Sequence, residues 1–260
     1  MFFQLISLSL KVNALRELEY RVNFFLQIVQ SALSLVIGIG GIAIIFEHTD
    51  TLNGWNANQL LVIIGVYTLI GGIIGFVIRP SLQKVMEEVR MGTLDFTLLK
   101  PHDSQFMVSI KQFGIWHLLD VLLGLGIVAF GLIQSGTTIT IGQFLVFLLM
   151  LIAGMMIIYS FWLILTSTVF WLVRVDNILF IIESVYTAGR YPVTIYPNWL
   201  QFMLTFIVPI AFAITIPAQA IIGQLPTETG ILALGIAIGI FILARFVWMT
   251  GLRHYSGASA

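Results

Sequence analysis

Arg79 to Asp103 reads RPSLQKVMEEVRMGTLDFTLLKPHD and is the one long polar interruption in a chain of apolar runs. It sets Arg79, Lys84, Arg90 and Lys100 against Glu87, Glu88, Asp95 and Asp103, in a protein of which only 9% of residues are charged. Apolar runs long enough to cross a bilayer flank it on both sides, so it predicts a water-facing segment between two spans of an all-α integral membrane protein. Pro80 suits the first turn of a helix and Gly92 a left-handed stop, which predicts a short helix from Ser81 to about Arg90. Beyond Gly92, Thr93 to Lys100 is a short apolar return segment that ends at Pro101.

Composition agrees with that reading. Of 260 residues 59% are hydrophobic, and the mean hydropathy is +1.03, whereas soluble domains are roughly half apolar and about a quarter charged. Lys plus Arg equals Asp plus Glu at 12 each, so nothing favours a nucleic-acid partner, and membrane lipids are the expected surroundings. There is no cysteine, hence no disulfide or thiolate chemistry. The first residues carry no secretory-signal pattern. No GxxxxGK[ST] loop is present, so nucleotide phosphates are not held in that manner. The histidines, His48, His102, His117 and His254, are scattered and lack zinc-site spacing.

Taken in order, residues 2–22 place Leu5, Leu8, Val12, Leu15, Leu18 and Val22 three or four apart, with charges between them, which predicts an amphipathic interfacial helix. Phe24–Phe46 and Leu60–Ile78 form spans one and two. Gly71 and Gly75 in the second are a small-xxx-small pair for close helix approach. The connection Glu47 to Asn58 holds acids but no Lys or Arg, so the positive-inside rule puts it outside and the N-terminus in the cytoplasm. Span three is expected from about Lys111 to Ile133, and span four within Phe144–Val173, ending at a cytoplasmic Arg174. The last span, Ile231–Trp248, leads to Arg245, Arg253 and His254 inside. Between these, Asn177–Tyr191 and Leu200–Ile222 compete for span five; if both termini are cytoplasmic, only one of them crosses. Hydropathy alone favours the second.

Two acids fall within apolar segments, Asp120 and Glu183. A carboxylate inside a bilayer costs at least a few kcal/mol and is a candidate functional residue by default. The alternative for each is a packing hydrogen bond or a place near the interface. A lipid-modifying enzyme using Asp120 or a histidine, and a passive channel or scaffold, are competing function classes, but no compact catalytic constellation is visible.

The segment Val89-Arg90-Met91-Gly92-Thr93-Leu94-Asp95-Phe96-Thr97-Leu98-Leu99-Lys100-Pro101 resembles the R-x-G-T-L-D-x-x-L-x-[KR]-P motif of bacterial type-2 ATP-binding-cassette (ABC) export permeases. Tyr191-Pro192 and Tyr196-Pro197-Asn198-Trp199-Leu200-Gln201, followed by Pro209, are similar to the proline pattern between the last two spans of that superfamily. Gly189-Arg190 departs from the small residues usual there.

The resemblance implies one permease domain over residues 1–260 with six spans and an interfacial helix at 2–22. It also implies a cytoplasmic coupling segment at 79–103, span five within Asn177–Tyr191, and a re-entrant hairpin at 199–223. It implies a multi-pass protein of the inner (plasma) membrane with both termini cytoplasmic. It further implies that the chain pairs with a second permease, as homo- or heterodimer, and with two copies of an ABC ATPase subunit, and exports an unidentified substrate. ATP and Mg then belong to the ATPase, with no cofactor on this chain and no catalysis by it. Lys84, Glu87, Glu88, Arg90, Gly92, Leu94 and Asp95 become ATPase-coupling residues.

Overall fold

The computed structural model describes residues 7, 9–15, 21–136, 138–172, 181 and 183–255. Within them, five helical stretches are long and apolar enough to cross a membrane. They are built on α1 (Arg21–Phe46), α2 (Ala57–Ile73), α6 (Leu118–Gln134), α7 (Ile141–Ser167) and α11 (Thr227–Leu252). Short helices α3 (Arg79–Met91), α4 (Asp95–Leu98) and α5 (Ser104–Ser109) make up the polar stretch and its exit, and α8 (Asn198–Phe202), α9 (Ile210–Ala213) and α10 (Thr215–Ile221) precede α11. Among the described residues the only strand-like pairing is one bridge, Leu52 to Trp55, closing the Asn53-Gly54 turn, where both residues have positive φ.

Two helix starts share one device. Asn56 accepts from the Gln59 N–H at 2.9 Å while the Gln59 side chain accepts from the Asn56 N–H at 3.1 Å. Thr140 and Gln143 do the same for α7, at 3.2 and 2.9 Å. Each is a capping box that satisfies two donors otherwise left orphaned where the chain enters an apolar phase.

The structure differs from the expectation that Arg79-Pro80 closes span two, because the helix runs from Ala57 to Met91 without a stop. Ile74–Ile78 winds as a π-turn immediately before Pro80, and Pro80 has no N–H to give the preceding turn. The carbonyl of Phe76, four residues before the proline, instead accepts from the Gly114 N–H at 2.9 Å. The proline therefore does not break the helix; it frees an acceptor that ties span two to the entry of span three. Gly114 is required there, since a Cβ would stand 2.6 Å from the Gly75 carbonyl oxygen.

Span three also starts later than Lys111. A turn at Ile115–His117 leads into α6 at Leu118, so Asp120 lies in the first helical turn rather than deep in the span. Packing of α2 on α6 is the most extensive in the molecule, followed by that of α7 on α11. The expected glycine pair lies outside that contact. Gly65, Gly72 and Gly124 bring the α2 and α6 backbones together, while Gly71 faces the Tyr186 ring and Gly75 the His117 ring.

Contacts at each end order the bundle. At the polar end the Phe24 and Trp116 rings lie 4.9 Å apart, Tyr159 bonds Ser109 at 2.6 Å, and Trp248 donates to Ser104 at 3.2 Å. At the opposite end Asn58 donates to the Gln134 carbonyl at 2.9 Å and Gly223 sits against Gln143. The start of α1 and the end of α11 thus share the polar end. Between Glu183, which pairs with Arg79 at 2.7 Å, and Thr194, which accepts from Asn53 and Trp55, the chain passes from the polar end to the opposite one. The following pair, Asn198–Ile207 and Ile210–Ile221, is bent by 72° at Val208-Pro209. It begins where Gln201 donates to the Thr194 carbonyl at 3.3 Å and returns to Gly223 at that same end.

The interfacial helix expected at 2–22 is described only at residue 7 and over 9–15, which are helical, with Ser9 bonded to the Ile110 carbonyl at 2.9 Å. Its remaining charges before Arg21, the Arg174 stop of span four and most of the first half of Asn177–Tyr191 lie outside the described residues.

Candidate functional site

The polar stretch folds back on itself. Leu82, Val85 and Met86 of α3 are buried, as is Leu94 after the turn; burying a leucine fully is worth about 1.5–3 kcal/mol. The turn between them is made by Gly92, at φ 68°, whose N–H returns to the Glu88 and Val89 carbonyls, with the Thr93 N–H also on Glu88 O at 2.9 Å. This left-handed stop closes the helix and aims Leu94 inward. Asp95 then opens α4.

The two neighbouring glutamates diverge. Glu87 pairs with Lys84 at 2.7 Å, the side chains 39% and 37% exposed, and Arg90 is exposed beyond them. Glu88 is only 13% exposed and is held by Lys111. Lys111 also donates to the Thr97 hydroxyl at 2.5 Å. Glu88, Thr97 and Lys111 thus clasp α3, α4 and the entry to span three. Burial lowers the Lys111 pKa, against the opposing pull of Glu88. At the rim, Arg245 of α11 forks onto Asp103, with contacts of 2.5 and 3.0 Å. Partial burial alone would raise the Asp103 carboxyl, but the Arg245 guanidinium and the Phe106 N–H outweigh it and hold the pKa below its ordinary value.

A second polar cluster lies within the spans. Asp120 and Glu183, far apart in sequence, line one cavity of about 270 Å³ between α1, α2, the α6 entry and residues 183–187. Asp120 accepts from Gln27 at 2.7 Å, from Ser31, and faces His117 Nδ1 at 2.9 Å. Glu183 takes a two-point contact from Arg79, at 2.7 and 3.0 Å. Deeper in, Arg190 donates to Ser34 at 3.1 Å and lies over the Tyr67 ring, 5.5 Å from its centroid.

Of the sequence-derived candidates, the structure therefore leaves Lys84, Glu87 and Arg90 on the surface and turns Glu88 and Leu94 inward. Asp120 and Glu183 are brought to one cavity. Sequence reasoning missed Lys111, Thr97, Gln27, Ser31, Ser34 and His117 as members of these clusters. One signal was available: Gln27, Gln30, Ser31 and Ser34 recur at helical spacing on one stripe of an otherwise apolar span.

No match to a curated protein or to a solved structure was found. A match to the family described as ABC-2 family transporter protein spans residues 24–259. This extent covers the whole helical bundle, the clasp and the cavity, and the chain belongs to the ABC-2 family of transporter proteins, as a membrane-embedded permease component of an ABC transporter.

Proposed function

We propose that the chain is half of an exporter, paired with a second permease and driven by two ATPase subunits that dock against the exposed face of α3. The observation that carries this reading is the unbroken helix from Ala57 to Met91. A push on the Lys84–Glu87 face would travel straight into span two. Two cross-links, the Gly114 N–H on Phe76 O and Lys111 on Glu88, carry it to span three as well. A rigid element tied to two spans suits a switch between inward- and outward-facing packings.

Charge supports the orientation. Among the described residues Lys and Arg crowd the polar end, whereas residues 47–58, 134–141 and 191–230 contain neither; the positive-inside bias makes the polar end, with both chain ends, cytoplasmic. Residues 183–194 then belong to the fifth crossing, expected within Asn177–Tyr191, and the bent α8–α10 run, which starts and finishes at the opposite end, is a re-entrant hairpin of the outer leaflet.

The test is charge reversal on the exposed face only. Glu87→Lys should release a co-purifying ATPase or uncouple its hydrolysis from transport, while thermal stability of the permease changes by no more than about 0.5 kcal/mol. An intact, fully coupled complex would sink the docking assignment.

A further inference from the structure

Arg190 stands at mid-depth. Its partner Tyr67 is about 15 Å along the helix from Ala57 and about 18 Å from Arg79, and its partner Ser34 is about 20 Å from Arg21 and about 18 Å from Phe46. A guanidinium at that depth is costly, and such groups are normally paired. Arg190 is not paired with an acid among the described residues: its partners are the Ser34 hydroxyl and Tyr67, through both its ring and its phenol. A guanidinium carries five donors in a planar fork, and the Ser34 and Tyr67 hydroxyls are neutral acceptors that do not compensate its charge.

No carboxylate among the described residues is placed to complete it. Of the acids lining the adjacent cavity, Glu183 is engaged by Arg79 and Asp120 by Gln27, Ser31 and His117. The other acids among the described residues lie at the two ends of the bundle, so a second copy of this chain brings none of them to mid-depth either. Ser34 accepts from Arg190 and keeps its own hydroxyl proton to donate. Beside this stripe, α1 presents Phe25, Leu26, Val29 and Leu33 as an exposed apolar face.

The geometry points to an anion subsite at Arg190 and Ser34 that takes the phosphate or carboxylate headgroup of an amphiphile, whose chain lies along the apolar face of α1. Phosphate and carboxylate both match the fork of a guanidinium. This deepens the exporter reading, and rests on it, by giving the substrate a chemical class.

The test uses the full chain in phosphatidylcholine nanodiscs, with radiolabelled dodecyl phosphate and, separately, laurate as probes. Saturable binding of at least one is expected, displaced by the other anion but not by dodecyltrimethylammonium. Arg190→Gln should weaken it about tenfold or more, the loss of one charge-assisted fork. Arg190→Lys should fall between the native chain and Arg190→Gln, because the point charge remains but the planar fork is lost. Ser34→Ala, which leaves the cation in place, should cost about threefold and serves if Arg190→Gln fails to fold. Which anion binds more tightly identifies the headgroup. Absence of saturable binding by either probe, equal binding by Arg190→Gln, or equal displacement by the cationic amphiphile overturns the subsite. Equal displacement by inorganic phosphate overturns the amphiphile. The readout involves no ATPase, so it fails independently of the docking test.

Discussion

The clasp at Glu88 and the cavity beside Arg190 are both polar clusters in an apolar protein, yet they are closed to different degrees. In the clasp each charge meets an opposite one from the same chain: Glu88 meets Lys111, and Asp103 meets Arg245 at the rim. In the cavity Glu183 meets Arg79 likewise, but Arg190, beside it, ends on Ser34 and Tyr67. A closed charge cluster fixes geometry, whereas an open one leaves room for a ligand. The two regions are joined by the segment that leads from Lys111 into α6, which starts at Leu118 and carries Asp120 in its first turn.

If the clasp is a closed ionic unit, opening it from one side should have the largest effect. Glu88→Ala leaves the Lys111 ammonium, 19% exposed, with a hydroxyl for company. A cost of about 3–5 kcal/mol is expected in thermal unfolding of the purified chain, and most of it should return in Glu88→Ala/Lys111→Met, since a buried pair is often replaceable by apolar groups. The lowered Lys111 pKa points the same way: burial makes its charge costly, so the pair is kept for geometry. Equal loss in the single and double variants would show that the ion pair is not what joins α3 to span three.

The packing of α6 on α2 comes next. A Cβ on Gly124 would lie 2.4 Å from the Leu69 nitrogen and 2.6 Å from its Cα, both backbone atoms that can retreat only if α2 and α6 separate. Gly124→Ala should cost about 1–3 kcal/mol by overpacking. Gly126, two residues on, has nothing within 4 Å of the same position, so Gly126→Ala should be neutral or stabilising by up to about 1 kcal/mol. Similar results from the two variants would deny the close approach.

These regions differed in how far they could be read beforehand. The clasp region was legible as a polar island, because eight charges in an apolar chain break its hydropathy, and Gly92 marked the turn. Its inner wiring was not: Glu87 and Glu88 are chemically identical, and only the packing of Leu82, Val85 and Met86 decides that Glu88 faces in. Pro80 suggested a stop because local rules do not contain the π-turn and the distant Gly114 donor that accommodate it. The cavity was illegible as a unit, since its members come from segments about 150 residues apart and each sits alone in an apolar run. The choice between Asn177–Tyr191 and Leu200–Ile222 was likewise beyond hydropathy, which measures how apolar a segment is and not where its ends return.

Within the cavity, single donors should matter little. Asp120 accepts from Gln27 and Ser31 and faces His117, so Gln27→Ala removes one partner and leaves two. Hydrogen bonds between membrane helices average about 0.6 kcal/mol, because alternatives exist in the unfolded state as well, and a loss of that size in thermal unfolding is expected. A loss as large as that of Glu88→Ala would mean that the cavity is as tightly closed as the clasp.

The rim of the clasp should give the smallest effect, one seen only in acid. The Asp103 pKa is lower in the folded chain than its ordinary value. Its stabilising contribution is therefore complete above the ordinary carboxylate range and is lost as pH falls through the folded pKa. Both partners are well exposed, at 44% and 39%, so salt screens the interaction and the loss should shrink at high ionic strength. Thermal unfolding followed down through the carboxylate range, in the native chain and in Arg245→Gln, isolates this contribution. The variant lacks the guanidinium that holds the proton off, so its stability should fall less steeply with acid. Parallel curves would assign the acid sensitivity to another carboxylate and reduce the α11 contact at Asp103 to simple proximity.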